Sequence, residues 1–116
     1  EGVAAGAGAK IDVQIHRGYP VTSNDPKLTA QMLPTLERVA PGKVKESELI
    51  TGAEDFTYFQ REAPGLFVFL GITPPEQAGT APANHSPLFY VDEKALPTGV
   101  RALANLAVDF LAAAGK

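Results

Sequence analysis

Leu66-Phe67-Val68-Phe69-Leu70-Gly71-Ile72 is the stretch on which the fold turns. An unbroken apolar run of this length, rich in Phe and punctuated by Pro64-Gly65 before it, reads as a strand buried on both faces. Such a strand requires a layer on each side. Working outward, residues 10–17 alternate Ile11, Val13 and Ile15 with Lys10, Asp12, Gln14 and His16, the period of a strand with one wet face. Residues 43–51 contain a short, more polar strand with an exposed flank. The order strand, helix, strand, short helix, buried strand, loop, long helix predicts an α/β (α+β layered) arrangement.

The helices between these runs carry their own boundary signals. Asp25 caps a helix with Pro26 at its first position, where no intrahelical N–H is needed. Leu28, Met32, Leu36 and Val39 form its apolar stripe, Pro34 should kink or split it, and Pro41-Gly42 stops it. Asp92 caps the last helix, where Leu96, Val100, Leu103, Ala107 and Phe110 recur at helical spacing and predict core packing, widened by Leu106 and Leu111. At the other end, residues 1–8 read as an Ala-rich helix end broken at Gly6 and Gly8.

Composition excludes several functions. A chain of 116 residues with 45% hydrophobic and 20% charged residues can bury a core. Its net charge of -3 comes without a run of Lys or Arg, so a nucleic acid backbone has nothing to bind. No apolar run is long enough to span a bilayer, and the first residues lack the pattern of a signal peptide. A soluble protein is expected, with the cytoplasm favoured and an exported parent left open. With no Cys, disulfides and thiolate metal sites are excluded.

Chemistry concentrates in two places. His85, one of two histidines, lies in Asn84-His85-Ser86-Pro87 between an irregular loop and the final helix, a position suited to a metal or a polar substrate. A capped or solvent-exposed loop histidine fits the same residues. Glu54 and Asp55 follow Gly52 at the start of a short helix, where carboxylates are favoured and where capping and solvation alone would account for them. His16, on the wet face of its predicted strand, reads as an ordinary exposed histidine.

Gly52-Ala53-Glu54-Asp55-Phe56, then Pro64-Gly65-Leu66-Phe67-Val68-Phe69-Leu70-Gly71, then Asn84-His85-Ser86-Pro87, together resemble the C-terminal part of M20-family metallopeptidases. The similarity extends to Tyr19-Pro20, Asn24-Asp25-Pro26 and the Val91–Pro97 entry to the last helix, and is greatest to the amidohydrolase branch that includes hippurate hydrolases, N-acyl-amino-acid amidohydrolases and auxin-conjugate hydrolases.

The resemblance implies that residues 1–17 end a lid (dimerisation) domain and that 18–116 form the C-terminal section of the catalytic domain, part of a sheet flanked by helices. It implies that His85 is the last metal ligand, for zinc, manganese or a similar divalent ion. Glu54, Asp55, Asn84 and Ser86 then stand at the substrate or behind the ligand. The family's other ligands and its general-base glutamate have no counterpart in this chain. The intact enzyme would hydrolyse the amide bond of an N-acyl amino acid or small peptide; this chain would hold no catalytic residue of its own, bind no metal tightly and be inactive alone. The competing expectation is a non-catalytic, self-associating α/β module, since uncovered strand edges and apolar stripes favour association.

Overall fold

The computed structural model describes residues 2–115. It contains four helices: α1 (Gly2–Gly6), α2 (Pro26–Val39), α3 (Phe56–Glu62) and α4 (Leu96–Ala114), with 3₁₀ turns at Pro75–Gln77 and Glu93–Ala95. No strand occurs among the described residues, which overturns the α/β layered expectation. The physical reason lies in what a strand is. Alternation and apolar runs extend a backbone, but a sheet exists only where a second backbone answers its N–H and C=O groups. Residues 10–17, 43–51 and 66–72 find no such partner, and the alternating residues Ile11, Val13 and Ile15 are all exposed.

The apolar run is nevertheless anchored, by side chains. The Asn24 amide donates from Nδ2 to the Phe67 carbonyl at 2.8 Å and accepts from the Phe67 N–H at Oδ1 at 2.7 Å. One side chain thus supplies the donor and acceptor that a neighbouring strand would present. Beside it, Asp25 N–H donates to the Gly65 carbonyl at 3.0 Å, and the Gln60 Oε1 accepts from Ser23 N–H at 3.2 Å. A Cβ at Gly65 would stand 2.6 Å from Gln60 Cγ and 3.2 Å from a Phe56 ring carbon, so only glycine admits this approach. Phe56 and Phe67 pack at 5.5 Å between ring centroids, and Phe67 meets Phe69 edge-on at 5.3 Å, geometries favourable for aromatic pairs. Farther along, Asp92 N–H donates to the Ile72 carbonyl at 3.0 Å, and the run's Leu70 lies against Gly99 of α4.

Of the two long helices, α2 starts as the sequence predicts, whereas α4 starts at Leu96 behind Ala95, without the side-chain cap expected from Asp92. Asp25 Oδ1 accepts from Leu28 N–H at 2.8 Å, with Pro26 at the first helical position. Asp92 Oδ1 accepts from Lys94 N–H at 3.1 Å and so caps the 3₁₀ turn that runs into α4. Pro34 does not split α2, which is continuous over 14 residues; a single missing N–H is tolerated because the helix is docked against α4.

That docking is polar. Thr35, 3% exposed, donates its hydroxyl to Asp109 Oδ2 at 2.5 Å, and Arg38 Nη2 donates to Asp109 Oδ2 at 2.8 Å and Asn105 Oδ1 at 3.1 Å. The half-buried face of α4 is Thr98, Gly99, Ala102, Asn105, Leu106 and Asp109. The stripe expected to pack in the core, Leu96, Val100, Leu103, Ala107 and Phe110, is exposed instead, Leu103 to 71%. Met32 of α2 is the one fully buried apolar side chain among the described residues. The radius of gyration, 20.1 Å, exceeds the ~13 Å of a compact domain this long. No helix is long and apolar enough to cross a membrane among the described residues.

Two measurements follow from this architecture. Asn24→Ala removes both hydrogen bonds to Phe67 and should cost about 1–3 kcal/mol, from about 0.5–1.5 for each. Loss of amide-exchange protection at Phe67 is the expected reading; unchanged protection would show that the clasp is not what holds the run. The Asp109 carboxyl lies below its ordinary value of 3.8, first through the Thr35 hydroxyl and then through Arg38. Folding therefore lowers this pKa, so its stabilising contribution is complete above the unfolded value and disappears as pH falls through the folded one. Acid unfolding followed by circular dichroism should lose part of its steepness below about pH 4 in Asp109→Asn.

Candidate functional site

The candidate residues sit on two loops that the clasp and α4 position. Asp92 N–H bonded to the Ile72 carbonyl closes the base of a loop spanning residues 73–91. Within it, Ser86 N–H donates to the Ala83 carbonyl at 3.1 Å, closing the turn Ala83-Asn84-His85-Ser86. His85 occupies its third position with φ of +68°, and no other non-glycine among the described residues has positive φ. Left-handed backbone at that position alone is the pattern of a type II turn, where glycine is preferred. A second turn follows at once: Phe89 N–H donates to the Ser86 carbonyl at 3.0 Å and Leu88 N–H to the Ser86 Oγ at 3.1 Å.

His85 is thus carried on the corner of a double turn, with its ring exposed. A residue with a Cβ costs roughly 1–2 kcal/mol in this conformation, and such strain is found where surrounding structure holds a functional group in place. Ser86 is committed to the second turn through its hydroxyl. Asn84, beside it, is exposed and makes no side-chain hydrogen bond among the described residues.

The other loop leads into α3. Glu54 Oε1 accepts from Phe56 N–H at 3.1 Å and its carbonyl accepts from Thr57 N–H at 3.4 Å, so its carboxylate satisfies an otherwise free donor at the helix start. Asp55 is exposed and makes no capping hydrogen bond from its side chain. Among the described residues, no three His, Asp or Glu side chains gather as a metal site would require. His85, Glu54 and Asp55 therefore do not form one. A catalytic zinc takes three protein ligands and a water, so the donors of the described residues do not fit a complete metal centre.

Two positions that hold these loops escape a reading of the sequence. Asn24, which clasps the run before the loop, is signalled only as part of Asn-Asp-Pro, and Gln60, which holds Ser23, carries no signal at all. A cavity of about 440 Å³ opens beside them, lined by Asn24, Asp25, Gln60, Arg61 and Gly65 among others, and none of the candidate residues lines it.

Comparison with known proteins adds an independent finding. The model of peptidase family M20/M25/M40 matches residues 1–109. Thermostable carboxypeptidase 2 of Saccharolobus solfataricus is 42% identical over 92 residues, 79% of this chain and 23% of the relative. N-acetylcysteine deacetylase of Bacillus subtilis is 32% identical over 93% of this chain and 27% of its own length. IAA-amino acid hydrolase ILR1-like 6 of Arabidopsis thaliana is 32% identical over 79% of this chain and 20% of its own. The chain spans about a quarter of the length of the curated relatives it matches. No solved structure matches it significantly.

The strain at His85 is open to direct test. His85→Gly should raise stability by up to about 1 kcal/mol, because glycine occupies the left-handed region without a Cβ clash. His85→Val should lower it, since a branched side chain fits there worst. Hydrogen exchange at the Ser86 amide reads the turn locally; the opposite order would show that the turn is not strained.

Proposed function

This chain belongs to peptidase family M20/M25/M40, and on that premise we propose that it supplies the C-terminal section of a metal-dependent hydrolase that cleaves the amide bond of N-acyl amino acids or small peptides. Residues 18–116 are the catalytic-domain portion in this reading and 1–17 the end of a lid. The packing of Tyr19 against Tyr58 of α3, edge-on at 5.6 Å, supports the boundary, as does the exposure of every residue from 10 to 18.

His85 is the residue we assign to the metal, zinc or manganese or a similar divalent ion. The observation that carries the assignment is its place on a strained turn, exposed. A lone-pair donor offered in this way contributes one ligand, and the rest must come from other polypeptide. Asn84 flanks the ligand and Ser86 fixes its turn, as residues that orient a ligand do. Glu54 and Asp55 are assigned to the substrate side of the same site. The half-buried Glu54 carboxylate, tied to Phe56 N–H, supports a fixed position for this loop.

Three of the relatives carry names that fit hydrolysis of an amide while differing in substrate: a carboxypeptidase, an N-acetylcysteine deacetylase and an IAA-amino acid hydrolase. The shared element is an amide next to an amino-acid carboxylate or acyl group, and that is the substrate class proposed for the intact enzyme.

A second reading, self-association, is favoured by one observation, the exposed apolar face of α4 at Val100, Leu103 and Leu111. Apolar patches of this kind mark protein contacts.

Incubation of the purified chain with N-acyl amino acids and added zinc or manganese should give no release of amino acid above the metal-only rate. Turnover by the chain alone that His85→Gln abolishes would refute the single-ligand reading. Light scattering across concentrations should show a mass that rises for the chain and falls back in Leu103→Glu; a constant monomer mass would refute association through α4.

A further inference from the structure

Away from the His85 loop, a cavity of about 410 Å³ lies between the C-terminal end of α2 and α4. Arg38, Lys43 and Arg101 line it together with Thr98. Three of the chain's ten Lys and Arg residues thus meet at one concavity, and among the described residues no Asp or Glu lines it. In a chain of net charge -3, that is a local reversal of sign. Like charges gathered in excess of their counter-ions repel one another, and an anion seated among them relieves the repulsion.

Each cation is brought there by a defined piece of structure. Arg38 stands in the last turn of α2. Its Nη2 is bonded to Asp109 and Asn105, and among the described residues its other guanidinium nitrogens make no hydrogen bond. Lys43 is delivered by the turn Ala40-Pro41-Gly42-Lys43, closed by Lys43 N–H to the Ala40 carbonyl at 3.0 Å, with Gly42 at φ of +66°. Proline second and glycine at positive φ third is the preferred composition of a type II turn. Arg101 enters from α4, its guanidinium 3.5 Å from the Thr98 hydroxyl.

The negative end of the α2 dipole attracts cations too, and this would account for Arg38 and Lys43. It does not account for Arg101, which belongs to the other helix. Asp109, held by Thr35, neutralises one of the three charges and leaves two. A dianion matches that remainder, whereas a single carboxylate would leave one cation unanswered. The planar arginine guanidinium further suits bidentate bonding to two oxygens of a phosphate.

We propose that the cleft between α2 and α4 binds a small phosphate-type dianion through Arg38, Lys43 and Arg101, with the Thr98 hydroxyl beside it. The site shares no residue with the proposed metal-ligand loop, so its failure would leave the hydrolase reading untouched.

The test is a titration of the isotopically labelled 116-residue chain with inorganic phosphate, followed by nuclear magnetic resonance, against sodium chloride at matched ionic strength. Saturable shifts confined to residues 38–43 and 98–101 are expected, with a dissociation constant on the order of 1 mM. Lys43→Gln and Arg101→Gln, both exposed, should each weaken binding about two- to fivefold and the pair about tenfold, and added salt should weaken it further. Shifts that never saturate, or an affinity unchanged in the double variant, would overturn the proposal. A parallel titration with glycerol phosphate separates the sources of the ligand. Tighter binding than inorganic phosphate assigns the site to a phosphate monoester, and equal or weaker binding to the free ion; either result supports the site.

Discussion

The side-chain amide of Asn24, bonded to both backbone groups of Phe67 across 43 residues of sequence, is the constraint on which the remaining structure depends. It substitutes for a neighbouring strand at one residue, and one residue suffices to fix the direction of the run that follows. Gly65, without a Cβ, lets α3 and its aromatic rings close against the same point. From there the chain runs to Ile72, whose carbonyl takes the Asp92 N–H. That bond places the 3₁₀ turn that leads into α4, α4 returns to Leu70 through Gly99, and its polar face meets α2, the helix that Asp25 begins. The path closes on the residue next to Asn24.

Little of this closure is hydrophobic. One apolar side chain is fully buried among the described residues, while α2 and α4 are joined by a hydroxyl, a guanidinium and two polar acceptors around Asp109. Hydrogen bonds are directional and fix orientation, whereas apolar burial supplies most of the free energy of a fold. The chain therefore has well-defined local geometry and a large unburied apolar surface, on Val68 to Leu70 of the run and on Val100, Leu103 and Leu111 of α4. The His85 loop inherits the first property. Its two turns are closed by their own backbone and by Ser86, so the imidazole is positioned without a core beneath it.

What could be read from the sequence divides along the same line. Features settled within four or five residues are legible: the Asp25 cap, Pro26 at the helix start, and the glycine-terminated end of α1. Features that need a distant partner are not. Residues 66–72 have the composition of a buried strand, yet none of the described residues offers them a backbone ladder. The apolar stripe of α4 likewise predicts a core at Val100 and Leu103, whereas Thr35 and Arg38 select the opposite face through Asn105 and Asp109, which no hydrophobic periodicity reveals. His85 was legible as a candidate because histidines are scarce here and its motif resembles a known one. Its left-handed backbone was not, since Asn84-His85-Ser86 carries no glycine to announce it.

The central functional claim is that His85 completes a metal centre whose other ligands come from outside this chain. Reconstitution tests it most directly: this chain is combined with the part of a related M20 hydrolase that the match leaves uncovered, and bound metal and amide hydrolysis are measured for the unaltered chain, His85→Gln and His16→Gln. The account predicts that His16→Gln behaves as the unaltered chain while His85→Gln loses both retained metal and turnover. Full activity and metal content in the His85→Gln complex would contradict it.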